Sequence, residues 1–137
     1  MGLILDSTVC VAAERRGSTP AALITHLPAP MHDELLAISV ITLHEMAYGL
    51  VRAESDRRRA SRQTFLSDLQ QALKVYPVTA GIAVRAGMLR ATLQMQGQVI
   101  ELADLLIAST ALELGYSVVT ANIRHFRRVP GLRVVEL

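Results

Sequence analysis

The stretch from Glu101 to Gly115 constrains the fold most, because its apolar residues are nearly continuous. A helix with apolar side chains on most faces must be buried on most sides, and glycine commonly ends such a helix. Asp104 lies in its first turn, where a carboxylate either caps the helix or belongs to a site completed by residues distant in sequence. Asp6 and Glu45 also lie in apolar surroundings, which favours a shared site.

Length and composition favour one domain, spanning residues 1–137. The chain is 51% hydrophobic, which is enough to bury one sizeable core. Its longest uncharged apolar run, residues 35–43, is far shorter than the roughly 20 residues of a membrane-spanning helix. The first residues lack the pattern of a secretory leader. We therefore expect a cytoplasmic protein without a membrane partner.

The basic residues are almost all arginine, since Lys74 is the only lysine among 14 basic residues. Arginine's planar fork suits phosphate oxygens and carboxylates, so a nucleic acid or an acidic protein is a reasonable partner. A genome rich in G and C produces the same bias, and composition leaves both explanations open. The single cysteine, Cys10, excludes an internal disulfide and is interpreted as a small core residue.

Short apolar runs alternate with helical patterns along the whole chain. This alternation predicts an α/β fold, with a mostly parallel sheet of four to five strands and helices on both faces. Ser39 or Thr42, and Thr79, are expected to cap helices, and Asp6 is either a cap, as Ser7 or Thr8 could also be, or a site residue. Strands are predicted at residues 3–5, 35–40, 75–77, 117–120 and 132–135. Helices are predicted in the Ala/Val-rich segment after Thr8 and near 21–27, 41–52, 53–73, 79–97 and 101–115.

Four polar residues are predicted to meet at one edge of this sheet, because parallel strands end on the same side and ligands bind there. Asp6 ends the first strand, and Asn122 follows the fourth. Glu45 lies in the helix entered from the second strand, and Asp104 in the helix before the fourth. Carboxylates about 4 Å apart repel by roughly 4 kcal/mol per pair at an effective dielectric near 20. Oxygen ligands without a Cys or His pair then favour Mg²⁺ or Mn²⁺.

Four blocks of the sequence, in this order, resemble those of PIN-domain ribonucleases, and especially the VapC toxins of bacterial toxin–antitoxin pairs. The blocks are residues 5–9, 39–49, 103–108 and 119–126. The resemblance implies a compact three-layer αβα sandwich, a homodimer, Mg²⁺-dependent endoribonuclease activity on structured cellular RNA, and a small antitoxin. It also implies that Asp6, Glu45 and Asp104 hold the metal. The fourth position is often aspartate in the family, and Asn122 there predicts fewer metal ions or weaker binding.

The predicted site therefore has a metal-binding and a supporting set of residues. The three acids hold Mg²⁺, directly or through water, with Mn²⁺ able to substitute, and Asn122 positions a water. Hydrogen bonds that support the acids are expected from Ser7, Thr8 and Thr120. The arginine-rich segment after residue 51 is either a solvated face or a surface for phosphate or for a second copy. Candidates for RNA contact are Arg52, Arg57, Arg58 and Arg124.

Two rival functions remain open at this point. A phosphoryl-transfer or receiver-type domain would use Asp6 as its phosphate acceptor. Such domains carry further acids beside the aspartate, where this chain has Ser7 and Thr8, and a late lysine, whereas Lys74 lies mid-chain. A non-catalytic PIN-like binding module is the second rival, and the neutral Asn122 favours it slightly.

Control by a partner protein is the last expectation. An antitoxin could deliver an arginine to the acidic site while an amphipathic helix covers the surface between Met31 and Leu73. Operator DNA would then be contacted only through the antitoxin.

Overall fold

The computed structural model describes all 137 residues, with five strands, six α-helices and two short 3-10 helices. The longest helix has 17 residues, and no helix is long and apolar enough to cross a membrane. The strands are Gly2–Leu5 (β1), Leu35–Ser39 (β2), Lys74–Tyr76 (β3), Ser117–Thr120 (β4) and Val134–Glu136 (β5). The helices are Ser7–Arg15 (α1), Val40–Val51 (α2), Asp56–Ala72 (α3), Ala80–Met95 (α4), Leu102–Leu114 (α5) and Ile123–Phe126 (α6).

The strands form one sheet in the order β3-β2-β1-β4-β5, and every neighbouring pair is parallel. In the centre, Leu3 of β1 lies opposite Leu36 of β2 and Ser117 of β4. All carboxyl ends consequently lie at one edge of the sheet, which we call the carboxyl edge. The expected parallel sheet is confirmed, with five strands and no antiparallel member.

Both faces of the sheet are buried, because successive side chains of a strand point to opposite sides. Leu3 and Leu5 belong to one apolar cluster, together with Val9 of α1 and Phe65 of α3. Ile4, between them, belongs to a second cluster formed with α4 and α5. Each large side chain that is fully buried in this way contributes roughly 1.5–3 kcal/mol. The predicted αβα layering is confirmed.

Helices α1 and α2 start at the carboxyl edge because the residue at or just after the end of the preceding strand is also the helix cap. Asp6 accepts a hydrogen bond from the Ser7 backbone N–H at 2.8 Å, and Ser39 accepts one from the Ile41 N–H at 3.1 Å. At the other end of the central helix α5, Gly115 has φ +69°, a left-handed conformation that suits glycine. Local chemistry therefore orients the helices that carry the site.

The segment between α1 and β2 differs most from expectation. The predicted helix at residues 21–27 is a short 3-10 helix, Ala21–His26, and a second one covers Ala29–Met31. Pro20, Pro28 and Pro30 fall in this segment, and each removes a backbone N–H and restricts the residue before it. The last strand begins at Val134 rather than at residue 132, and β3 ends at Tyr76, before Pro77.

Candidate functional site

Asp6 is the most completely fixed of the predicted acids. It lies between β1 and α1 and is only 1% exposed. Its Oδ1 accepts the Ser7 N–H, and its Oδ2 accepts hydrogen bonds from Thr8 Oγ1 and Thr120 Oγ1, both at 2.8 Å. Three donors from two elements hold one orientation of this carboxylate.

The two threonines extend the network to the chain that follows β4. Thr120 Oγ1 also accepts from the Asn122 N–H at 2.9 Å, and Thr8 Oγ1 accepts from the Ala121 N–H at 3.1 Å. Thr8 and Thr120 therefore connect Asp6 to the backbone at Asn122. They lie where supporting residues were predicted, whereas Ser7 bonds to Asp6 only through its backbone N–H.

Asp104 and Asn122 are joined through His125, a residue that sequence reasoning missed. His125 Nδ1 lies 2.7 Å from Asp104 Oδ2 and 2.9 Å from Asn122 Nδ2. One ring nitrogen cannot both donate to a carboxylate and accept from an amide N–H. If Nδ1–H donates to Asp104, the Asn122 amide presents its oxygen to the ring, an exchange that heavy-atom positions do not distinguish. The position of His125, three residues after Asn122 and within the last of the four blocks, is the sequence feature that could have indicated its place in the site.

Glu45 lies in the second turn of α2 with one carboxylate oxygen unsatisfied. Its Oε1 is buried and has no hydrogen-bond partner. Burial raises the pKa of Glu45, the charges of Asp6 and Asp104 raise it further, and the nearby Ser7 and His44 oppose the shift. Such an orphaned oxygen is costly unless another group or a cation meets it.

The pKa of Asp104 is raised as well, first by burial and then by the charges of Asp6 and Glu101, while His125 opposes the shift. Asp6 therefore raises the proton affinity of both Asp104 and Glu45. The structure brings the three predicted acids into one electrostatic environment at the carboxyl edge.

The three acids are nevertheless not packed around a common point. No three His, Cys, Asp or Glu side chains of the structure form a group that could hold a metal ion as they stand. The close convergence considered from the sequence is therefore not reached. Repulsion between carboxylates opposes it, and Asp6 and Asp104 are already tied to Thr8, Thr120 and His125. The donors themselves, carboxylate oxygens with one orphaned atom, fit Mg²⁺ or Mn²⁺.

The four predicted RNA-contact arginines are exposed, and none forms a salt bridge with the acids. Arg57 and Arg58, at the start of α3, line a wholly polar cavity of about 640 Å³. Arg52 donates to Tyr48 Oη at 2.7 Å and lies over the Tyr48 ring. Arg124 lies on α6, beside Asn122. Of the four, only Arg124 lies within a few residues of a predicted site residue, and Arg57 and Arg58 line a separate cavity.

Comparison with known proteins places this chain in a family. The PIN domain family matches residues 3–132. The ribonuclease VapC2 of Rickettsia felis is 32% identical over 94% of this chain and 92% of its own length. The tRNA(fMet)-specific endonuclease VapC of Salmonella typhimurium is 35% identical over 77% of this chain and 78% of its own. In the crystal structure of VapBC2 from Rickettsia felis bound to a promoter DNA fragment, one chain matches with a TM-score of 0.81 and 30% identity, covering 100% of this chain and 99% of that one.

The chain is a PIN domain. Within that class it belongs to the VapC ribonucleases, because relatives that are at least 30% identical over nearly their whole length are named VapC ribonuclease or endonuclease.

Proposed function

We propose that the chain is a Mg²⁺-dependent endoribonuclease whose metal is held by Asp6, Glu45 and Asp104, directly or through water. Mn²⁺ is expected to substitute. The observation that carries this proposal is Glu45 Oε1, buried without a partner in the field of two other carboxylates. Mg²⁺ usually keeps several waters and takes only one or two protein carboxylates. A preformed cage of three is therefore not required.

The site residues divide the work in this proposal. A bound cation would activate a water for in-line attack on a phosphodiester and offset charge on the leaving oxygen. Asp6 keeps its orientation through Thr8 and Thr120, so little reorganisation accompanies substrate binding. The amide of Asn122, linked to Asp104 through His125, orients a water by hydrogen bonding and adds no charge.

RNA cleavage by the purified protein tests this directly. We expect cleavage with Mg²⁺ or Mn²⁺ and none in EDTA. Asp6→Asn and Asp104→Asn should each lose about a hundredfold or more, the scale for removing one preorganised electrostatic group. Asp33→Asn, at an exposed position, is the matched control. Equal cleavage by wild type and Asp6→Asn would exclude the mechanism, and absence of Mn²⁺ binding in calorimetry would indicate a non-catalytic module.

Structured cellular RNA is the substrate we propose. The Salmonella relative is named for a transfer RNA, and exposed arginines here can contact phosphates. Replacing Arg57 and Arg58 by alanine should weaken binding to all RNAs and lower the slope of affinity against salt by about one for each lost phosphate contact. Arg90→Ala, on α4, is the control. An unchanged salt slope would remove these arginines from the RNA surface.

The toxin role and its antitoxin are also proposals for this chain. The similar Rickettsia felis structure is a VapBC complex on promoter DNA. At the end of α2, Tyr48 and Val51 are 60% and 77% exposed, and Arg52 lies against Tyr48. This apolar surface suits an amphipathic helix of an antitoxin, whose other part would contact operator DNA. We expect the product of an adjacent small gene to bind tightly, to weaken metal binding and to stop cleavage. A complex that cleaves RNA as fast as the free chain would contradict occlusion of the site.

A homodimer is proposed through the outer face of α4. Val84, Met88 and Met95 are exposed along this face, and their spacing places them on one stripe of the helix. Met88→Glu should convert a dimer to a monomer in size-exclusion chromatography with light scattering. Gln94→Glu, on another face of the same helix, should not. A monomeric wild type would exclude this interface.

A further inference from the structure

A small cavity of about 180 Å³ lies between α1 and α2, with Glu45 in its lining. Val11 and Met46 contribute apolar surface, and Gly49 contributes no side chain. This volume corresponds to about six molecules of liquid water, at roughly 30 Å³ each. The cavity is therefore large enough for one flat aromatic ring system, but not for several side chains together.

Two charged side chains at this cavity are each held by one hydrogen bond and keep further hydrogen-bonding atoms free. Glu14, half-buried in α1, accepts a hydrogen bond from Ser61 Oγ at 2.7 Å through Oε1, and its second oxygen makes no bond within the chain. Arg62 donates from Nη1 to the Gly49 carbonyl at 2.6 Å, which leaves its other N–H groups available. Arg15 and Glu45 are the other two charged residues there. The cavity thus combines apolar walls, a held carboxylate and guanidinium groups.

This combination matches the chemistry of an unstacked RNA base. Proteins bind such bases by stacking them on aromatic rings or arginine planes and by hydrogen bonding their Watson–Crick edges. An ionised carboxylate only accepts hydrogen bonds, so Glu14 selects an edge that carries donors. Guanine presents a ring N–H and an amino group side by side on that edge, whereas adenine and uracil each present one donor.

We propose that the cavity between α1 and α2 binds a guanine base of the substrate RNA, with Glu14 accepting from its Watson–Crick edge. This inference rests on the proposed function, because it assumes that RNA is the substrate. Glu45 belongs both to this cavity and to the acidic edge. The bound base therefore belongs to a nucleotide next to the phosphate that is cleaved.

Gly49 allows the cavity to be filled without disturbing the fold. A Cβ added there would meet only Arg62 Nη1, at 3.7 Å, which is an ordinary van der Waals contact. The position lies inside α2, where replacing glycine by a residue with a side chain favours the helix. Gly49→Leu therefore blocks the cavity, and Gly49→Ala narrows it. Gly87→Leu is the matched control, because a Cβ at Gly87 in α4 meets nothing within 4 Å.

Binding of mononucleotides, measured by NMR on ¹⁵N-labelled protein in EDTA, tests the proposal without any cleavage. GMP should shift the Gly49 amide and bind about ten- to a hundredfold tighter than IMP, which lacks the amino group; this is the scale of one hydrogen bond to a charged group. AMP and UMP should resemble IMP. Gly49→Leu and Glu14→Gln should lose the guanine preference, and Gly87→Leu should keep it.

Equal binding of all four nucleotides would overturn the proposal, as would guanine preference that survives in Gly49→Leu. If Gly49→Leu abolished antitoxin binding but left GMP binding unchanged, the cavity would hold a partner's side chain and the proposal would be wrong. Metal and cleavage play no part in the measurement. A chain that fails to cut RNA can therefore still pass this test, and one that cuts RNA can fail it.

Discussion

Replacing Thr120 by valine tests how the acidic edge is held together. Thr120 is fully buried, and its Oγ1 donates to Asp6 Oδ2 at 2.8 Å and accepts from the Asn122 N–H at 2.9 Å. Valine keeps the shape of threonine but makes neither hydrogen bond. The substitution therefore removes the bonds and leaves the packing.

The expected loss of stability follows from these two bonds. A hydrogen bond to a charged group contributes about 1.5–3 kcal/mol, and an N–H left unpaired costs about 1–3 kcal/mol. Thr8 Oγ1 donates to the same Asp6 oxygen at 2.8 Å and compensates in part. We expect a net loss of about 2–4 kcal/mol, or a fall in Tm of about 6–15 °C for a domain of this size.

Urea and thermal unfolding in EDTA provide the measurement, with Thr110→Val as the control. Thr110 is equally buried, but its Oγ1 donates only to the Leu106 carbonyl of its own helix, at 2.8 Å. Its loss should stay within about 1 kcal/mol. In calorimetry, Thr120→Val should also weaken Mn²⁺ binding by about 10–100-fold, the scale for losing a group that orients a metal ligand. Equal destabilisation by the two variants would refute the role assigned to Thr120.

Two further predictions concern the core. A Cβ on Gly2 would lie 2.5 Å from Tyr116 Cζ. Gly2→Ala should therefore displace the Tyr116 ring, break its 3.1 Å hydrogen bond to Tyr76 and cost about 1–3 kcal/mol in urea unfolding. Gly87→Ala, in open space, should instead stabilise the protein slightly, and an equal change of stability in the two variants would contradict the steric explanation. Burial raises the pKa of the Cys10 thiol to about 12. A thiol reagent at pH 8 should therefore label Cys10 only as fast as the protein opens. Labelling at the rate of a free thiol would place Cys10 at the surface.

The fold was predictable because its determinants are local. Leu3, Ile4 and Leu5 read as a strand covered on both faces, and both apolar clusters use them. Ser39, one of the two caps that the sequence allows, begins α2, and the left-handed Gly115 ends α5 where the sequence indicates. The 3-10 segment was predicted as an α-helix because the two kinds of helix have similar sequence patterns over a few residues, and the prolines on either side keep the segment that short.

The meeting of the three acids at one edge of the sheet was predictable, but their mutual geometry was not. Topology alone brings Asp6, Glu45 and Asp104 to one edge, and the roles assigned to them remain proposals. Their separations depend on rotamers and mutual repulsion, which the sequence does not encode locally. His125 was missed because its partner Asp104 is 21 residues away and α6 is a single turn.

Glu45 makes the site unstable in a way that pH and metal should reveal. Because its pKa is raised in the folded state, the folded protein binds this proton more readily than the unfolded chain does. The stability contributed by this group therefore falls as pH rises through the raised pKa, and the difference is absent below the ordinary glutamate range near pH 4. In EDTA at pH 8, Glu45→Gln should have a higher Tm than wild type, and the two should converge as pH falls toward 4.

Divalent cations should reverse that order, because a cation offsets the charge that burial penalises. Adding Mg²⁺ or Mn²⁺ should raise the Tm of wild type more than that of Glu45→Gln, by mass action on the folded state. Glu54→Gln, at an exposed position, should follow wild type in both conditions. If Glu45→Gln were no more stable than wild type in EDTA at pH 8, the unpartnered Oε1 would not be a source of instability. In that outcome the charge of Glu45 would not destabilise the fold without metal, and relief of that charge could not be the reason a cation binds there.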